Sequence, residues 1–138
     1  MKKIFLFIVL GLLLSCKQTI SKTDLNNLNG YWEIEKVELP DGDKKEYKVN
    51  ETIDFFKLEG NKGFRKKVMP QLDGTYLTND IQENIMITLQ DGEAIVHYKT
   101  VYASWNEEII ELTKDKLVIK NQQDFEYHYK RPFNFSIK

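Results

Sequence analysis

Cysteine is almost absent from this chain of 138 residues, and the single one, Cys16, excludes any intramolecular disulfide. Histidine is nearly as scarce. His97 and His128 each sit on a strand face opposite apolar neighbours, so both are expected to be exposed and isolated, and no metal site is expected from two such residues. Charge of one sign is not in excess either, because 20 basic residues against 21 acidic ones leave a formal net charge of −1. That balance argues against nucleic acid as a partner. No glycine-rich phosphate loop occurs, and Ser21, Ser104 and Ser136 lack any motif that would activate a nucleophile. Glu107 and Glu108 are neighbours in a strand and point to opposite faces, so they are not expected to act as an acid–base pair. Accordingly, neither catalytic residues nor a cofactor are expected. Long apolar runs are missing beyond residue 14, and no stretch has the periodicity of an amphipathic helix.

The one apolar run lies at the N-terminus. Lys2 and Lys3 precede residues 4–14, which are apolar apart from Gly11. Eleven helical residues cover roughly 16 Å, about half of a hydrocarbon core, so the run is too short to remain as an anchor. A basic start, a short apolar stretch and a small residue before a cut mark a secretory signal. Leu13-Leu14-Ser15-Cys16 resembles the lipobox of bacterial lipoproteins. The resemblance implies removal of residues 1–15, acylation of Cys16 and attachment to a membrane through that lipid. More than one acyl chain is needed for stable anchoring, and the lipoprotein class carries two or three. Lys17 stands where an aspartate commonly retains Gram-negative lipoproteins in the inner membrane, so the resemblance leans toward the outer membrane, periplasmic face. Loss of Lys2 and Lys3 takes the net charge from −1 to −3.

Residues 16–27 are polar and read as a tether. From residue 28 to 132 the chain alternates turn chemistry with β-forming runs. Pro40-Asp41-Gly42, Gly60-Asn61, Asp73-Gly74 and Asp91-Gly92 supply the turns. Period-two alternation is plain in the last run, where Phe125, Tyr127, Tyr129 and Arg131 share one face against Glu126, His128 and Lys130. Ile110 with Leu112 is read as opposing Ile109 with Glu111. The first run begins with Trp32 and Ile34 inward and changes phase near Lys36, which predicts a β-bulge. Nine strands are expected, over residues 30–39, 47–59, 63–69, 73–79, 83–90, 93–103, 105–112, 116–121 and 124–131. The pattern predicts an all-β domain, a single antiparallel up-and-down β-barrel of eight to ten strands. Residues 133–138 form a short tail.

Gly30-Tyr31-Trp32 at the head of the first strand and Arg131 at the end of the last resemble the lipocalin signature. The resemblance implies that Gly30, Trp32 and Arg131 close one end of the barrel, with the guanidinium lying across the indole. The chain is more similar still to small lipocalin-like lipoproteins of bacteria, through Leu28-Asn29-Gly30-Tyr31-Trp32, Gly74-Thr75-Tyr76 and the Ile109 to Thr113 run before a Tyr-rich closing strand. It departs from larger lipocalins in lacking their Thr-Asp-Tyr-type motif, their long C-terminal helix and its disulfide. In a simple meander, Arg131 reaches Trp32 only if the strand count is even. Nine strands conflict with that, and the surplus strand is expected within residues 93–112, where Ala103-Ser104-Trp105-Asn106 gives only a weak turn signal.

Small barrels are either filled by side chains or hold one small ligand. The candidate lining is aromatic: Phe55, Phe64, Tyr76, Tyr98, Phe125, Tyr127 and Tyr129, beside inward Ile34, Ile85, Ile87, Val96, Leu112 and Ile119. Arg65-Lys66-Lys67 reads as a solvated edge. Two functions remain open. One is an envelope lipoprotein that binds a small hydrophobic or amphipathic molecule. The other is a filled barrel acting as an interaction or structural module of the envelope.

Overall fold

A computed structural model describes residues 17–79 and 81–132. The expected signal peptide, Cys16 and the tail 133–138 lie outside the described residues. A short 3-10 helix, Asp24–Leu28, precedes ten strands. These are β1 Gly30–Glu38, β2 Lys44–Glu46, β3 Ile53–Glu59, β4 Lys62–Pro70, β5 Tyr76–Thr78, β6 Glu83–Gln90, β7 Glu93–Lys99, β8 Ser104–Leu112, β9 Lys116–Lys120 and β10 Glu126–Lys130.

Eight of them pair in the order β10-β9-β8-β7-β6-β4-β3-β1, and β1 pairs back onto β10, which closes an antiparallel barrel. β2 adds to β1 and β5 to β4 without entering the ring. The ring is therefore even, as the Arg131 argument requires. The supernumerary strand among the nine expected is the one at 73–79, not one within 93–112. β7 and β8 form an ordinary hairpin whose turn lies upstream of the expected place, at residues 100–103. Thr100 Oγ1 accepts hydrogen bonds from the backbone N–H groups of Tyr102 and Ala103, so a side chain supplies that turn.

Two bulges bend the sheet. One falls between Ile34 and Lys36 in β1, where the sequence pattern changes phase. The other, between Ile109 and Glu111 in β8, was not expected, and it puts Ile109 and Leu112 together in the core. A bulge leaves a residue out of the ladder. Here Ile110 is released, and its carbonyl accepts a hydrogen bond from the Gln18 N–H at 3.2 Å.

The expected tether is in fact docked from Lys17 onward. Leu112 N–H donates to Gln18 Oε1 at 2.8 Å, Ile20 N–H donates to the Gly92 carbonyl at 3.1 Å, and Ile20, Leu25 and Leu28 are buried in the core. They cap the end of the barrel that Trp32 plugs, here called the base. Trp32 is 0% exposed and donates its indole N–H to the Leu28 carbonyl at 2.8 Å. Arg131 lies 3.6 Å from the indole centroid and donates to the carbonyls of Asn27, Asn29, Tyr31 and Lys114. Gly30 has a φ of +111°, and a Cβ there would come within 3.2 Å of the Arg131 guanidinium. The Gly-x-Trp and the distant arginine are thus parts of one closure.

Candidate functional site

The other end, the mouth, receives the C-terminal ends of β1, β4 and β7 and the N-terminal ends of β3, β6 and β8. Cross-strand registers decide what points inward there. Trp32 faces Asp54, Asp54 faces Lys67, Phe56 faces Arg65, and Arg65 faces Glu83. Residues directly opposite in a ladder share a face, so Asp54, Phe56, Arg65, Lys67 and Glu83 all point into the barrel with Trp32. Tyr98 faces Trp105 across β7 and β8, and Glu107 follows two residues on.

These side chains form a buried polar layer. Arg65 makes a two-pronged contact with Glu83, Nε to Oε1 at 3.1 Å and Nη2 to Oε2 at 2.6 Å. Its Nη1 donates to the Tyr98 hydroxyl at 3.4 Å and lies 3.8 Å from Glu107. The guanidinium carbon sits 4.4 Å from the Tyr98 ring centroid, and Tyr98 in turn stacks on Trp105 at 5.2 Å. Asp54 is 2% exposed and pairs with Lys67 Nζ at 2.6 Å. Glu107 lies beside Tyr98 and Asp54 beside Tyr129, close enough for each carboxyl to act on the neighbouring phenol.

Burial would push the Arg65 guanidinium down, but Tyr98, Glu83 and Asp54 outweigh it and hold the group above its ordinary value. Burial pushes the Glu107 carboxyl up, against opposing pulls from Tyr98 and Arg65. Tyr98 and Tyr129 are raised well above the usual phenol range by burial. The layer sets two cations, Arg65 and Lys67, against three carboxylates, Asp54, Glu83 and Glu107, and offers ring faces and hydrogen-bonding groups just beneath the mouth.

The structure divides the candidate lining residues. Tyr98, Tyr127 and Tyr129 face inward. Phe55, Phe64 and Tyr76 do not. They lie on the outer surface, where Tyr31 stacks on Tyr76 at 4.1 Å and contacts Phe55 at 4.8 Å, with Phe64 6.1 Å beyond. Phe125 precedes β10 in a loop, its N–H bound by the Asn121 side chain. Arg65 is likewise corrected from a solvated edge to the interior, whereas Lys67, though on the inner face, remains 59% exposed at the mouth and Lys66 stays on the outer face. The residues missed were Asp54, Phe56, Arg65, Glu83, Trp105 and Glu107. Arginine scarcity was the one available signal.

Two grooves lined by described residues open outward. One, of about 410 Å³, runs beside Ile53, Pro70, Tyr76 and Pro132, and the other, of about 470 Å³, lies against Leu25 and Ile87 at the base. Neither is lined by Tyr98, Tyr127 or Tyr129. The loops at the mouth expose large apolar side chains, Leu72, Ile81, Val101 and Tyr102, the last two at 94% and 96%. His97 is outward and bonded to Thr88 and Asn106. His128 is also outward but not isolated, because Glu38 and Glu126 lie beside it.

A family model described as a lipocalin-like domain matches residues 28–119. Among solved structures, the chain is similar to a lipocalin-like protein from Bacteroides uniformis, at 10% identity and a TM-score of 0.48, covering 77% of this chain and 99% of that one. It is similar also to an uncharacterized protein from Bacteroides eggerthii, at 14% identity and a TM-score of 0.47, covering 76% and 99%. Lobster apocrustacyanin A1 matches at 14% identity and a TM-score of 0.45, covering 80% of this chain and 64% of that one. Among curated proteins none matches. With an even barrel, a Trp32 plug, an Arg131 latch and a matching model over most of its length, this chain belongs to the lipocalin-like family.

Proposed function

We propose that the protein is a lipid-anchored envelope protein that binds a small amphipathic molecule at the mouth of its barrel. The observation that carries this reading is the Arg65 layer. Burying charged groups costs several kcal/mol per ion unless they are well paired, and apolar residues of similar size would fill the space at least as well. Perturbed charged groups beside aromatic rings at the mouth of a β-barrel are where binding sites are commonly found. An amphipathic guest would set its polar end on the Arg65, Tyr98 and Glu107 groups and its apolar part against Trp105 and Tyr127. The rim of Leu72, Ile81, Val101 and Tyr102 would cover it.

Anchoring agrees with this arrangement. Lys17, the first described residue, pairs with Glu93 and Glu108 at the base side, which supports a lipid that would leave from the end opposite the mouth. The mouth would then face away from the bilayer. Labelled palmitate should enter the wild-type chain and not Cys16→Ser. Envelope fractionation should move a Lys17→Asp variant from the outer to the inner membrane.

Titration of the barrel, purified from Lys17 onward, with a medium-chain fatty acid or lysophospholipid tests the site. Trp105 emission should shift and saturate in a Trp32→Phe background, and Arg65→Met should abolish the change. One observation favours a second reading, a filled barrel that works through its rim: the apolar loops are exposed and the lower interior is fully packed. That reading predicts no Trp105 response to any amphiphile and in-cell crosslinks from Tyr102 to another protein.

A further inference from the structure

The seam where the first and last barrel strands meet carries a cluster that the ligand reading does not use. Glu38 faces Glu126 directly across β1 and β10, and His128 stands diagonally beside them on the same outer face. One ligand atom from each of the three residues can be chosen so that all lie within 4.8 Å of one another. His128 Nε2 is 3.6 Å from Glu38 Oε2 and 3.9 Å from Glu126 Oε1, too far for a hydrogen bond to either. That nitrogen is nevertheless sealed from solvent and has no hydrogen-bond partner among the described residues. A buried ring nitrogen left this way is uncommon and calls for an explanation.

The geometry points to a divalent metal site, and we propose that Zn²⁺ binds between His128 Nε2, Glu38 Oε2 and Glu126 Oε1. Zinc bonds to imidazole nitrogen and carboxylate oxygen are about 2.0–2.2 Å long, which puts tetrahedral ligands about 3.4 Å apart. The two separations from His128 Nε2 need only a few tenths of an ångström of closure, and the two carboxylate oxygens, which lie within 4.8 Å of each other, can be drawn together by side-chain rotation. One nitrogen and two carboxylate oxygens form a borderline donor set suited to zinc among the common cations. The fourth position is left to water, so the ion would exchange. Lys36 Nζ, 3.2 Å from Glu38 Oε1, holds the other carboxylate oxygen and opposes a dication beside it. Bound zinc would bridge the two strands whose pairing closes the barrel.

Calorimetric titration of the full chain with Zn²⁺ should give one site per chain. His128→Ala should weaken it at least about tenfold, since losing even an outer-shell partner costs about 10–100-fold. Glu126→Gln should also weaken it, and Cys16→Ser should leave it unchanged. Zinc should raise the melting temperature of the wild type and not that of His128→Ala. Lys36→Gln separates the site from a plain ion-pair cluster. It should tighten zinc binding, whereas in a cluster held by ion pairs alone it only lowers stability. Absence of one-to-one binding, or binding indifferent to His128→Ala, overturns the proposal.

Discussion

Arg131 joins the two ends of the domain through its guanidinium, which lies over Trp32 and reaches four backbone carbonyls drawn from the N-terminal segment, β1 and the β8–β9 turn. A cation over an indole contributes about 0.5–2 kcal/mol, and hydrogen bonds from a charged donor add more. Arg131→Ala should therefore lower unfolding free energy by about 2–4 kcal/mol in urea titration, and Arg131→Lys by less. Glu107 offers a test of opposite sign. Its carboxyl is raised by burial, so the folded state binds the proton more tightly than the unfolded chain does. Stability from this group is full below the ordinary glutamate pKa and falls as pH rises through the raised folded value. Glu107→Gln keeps an acceptor for Tyr98 but removes the charge. It should flatten that fall, so that the variant gains on the wild type in denaturant midpoint as pH rises above the ordinary glutamate range.

At the scale of elements, β3 and β4 carry the main lesson about what the sequence could tell. Phe55 and Phe56 are adjacent, as are Phe64 and Arg65, and apolar patterning selects Phe55 and Phe64 as inward. The opposite is true of both strands, because Asp54 and Arg65 occupy the inner face. Since the strands are in register, the inversion of one entails the inversion of the other. A hydrophobic pattern fails where a buried face is deliberately polar, and such failures collect at functional sites. By contrast the β1 bulge was legible, because Val37 and Leu39 take over the phase from Trp32 and Ile34. The β8 bulge was hidden, because Ile109 and Ile110 are both apolar and either could face inward. The β3–β4 hairpin also has a strict steric demand. A Cβ on Gly63 would lie 1.8 Å from the Lys57 carbonyl oxygen, so Gly63→Ala must push backbone apart. It should destabilise the barrel by about 3 kcal/mol or more. Gly42→Ala, in an open turn at φ +93°, should cost only about 1–2 kcal/mol. Comparable losses at the two positions would contradict this reading of the hairpin.

Over the whole molecule the two ends are built for different tasks. The base is apolar and latched, with Trp32, Leu25, Leu28 and Ile20 excluding water, Gln18 bound to β8 and Ile20 bound to Gly92 in the β6–β7 turn. The mouth holds nearly all the buried charge and presents apolar loops. Closure was readable from Gly30, Trp32 and Arg131, which are few and far apart in sequence yet demand an even barrel. The interior of the mouth was not readable, since its character depends on registers that no local pattern specifies. Native mass spectrometry of the protein extracted gently from its own envelope tests the central claim most directly. The account predicts a single bound small molecule on the wild-type chain and its loss from Arg65→Met. A wild-type chain that always appears at its bare mass, with Arg65→Met indistinguishable from it, would contradict the account.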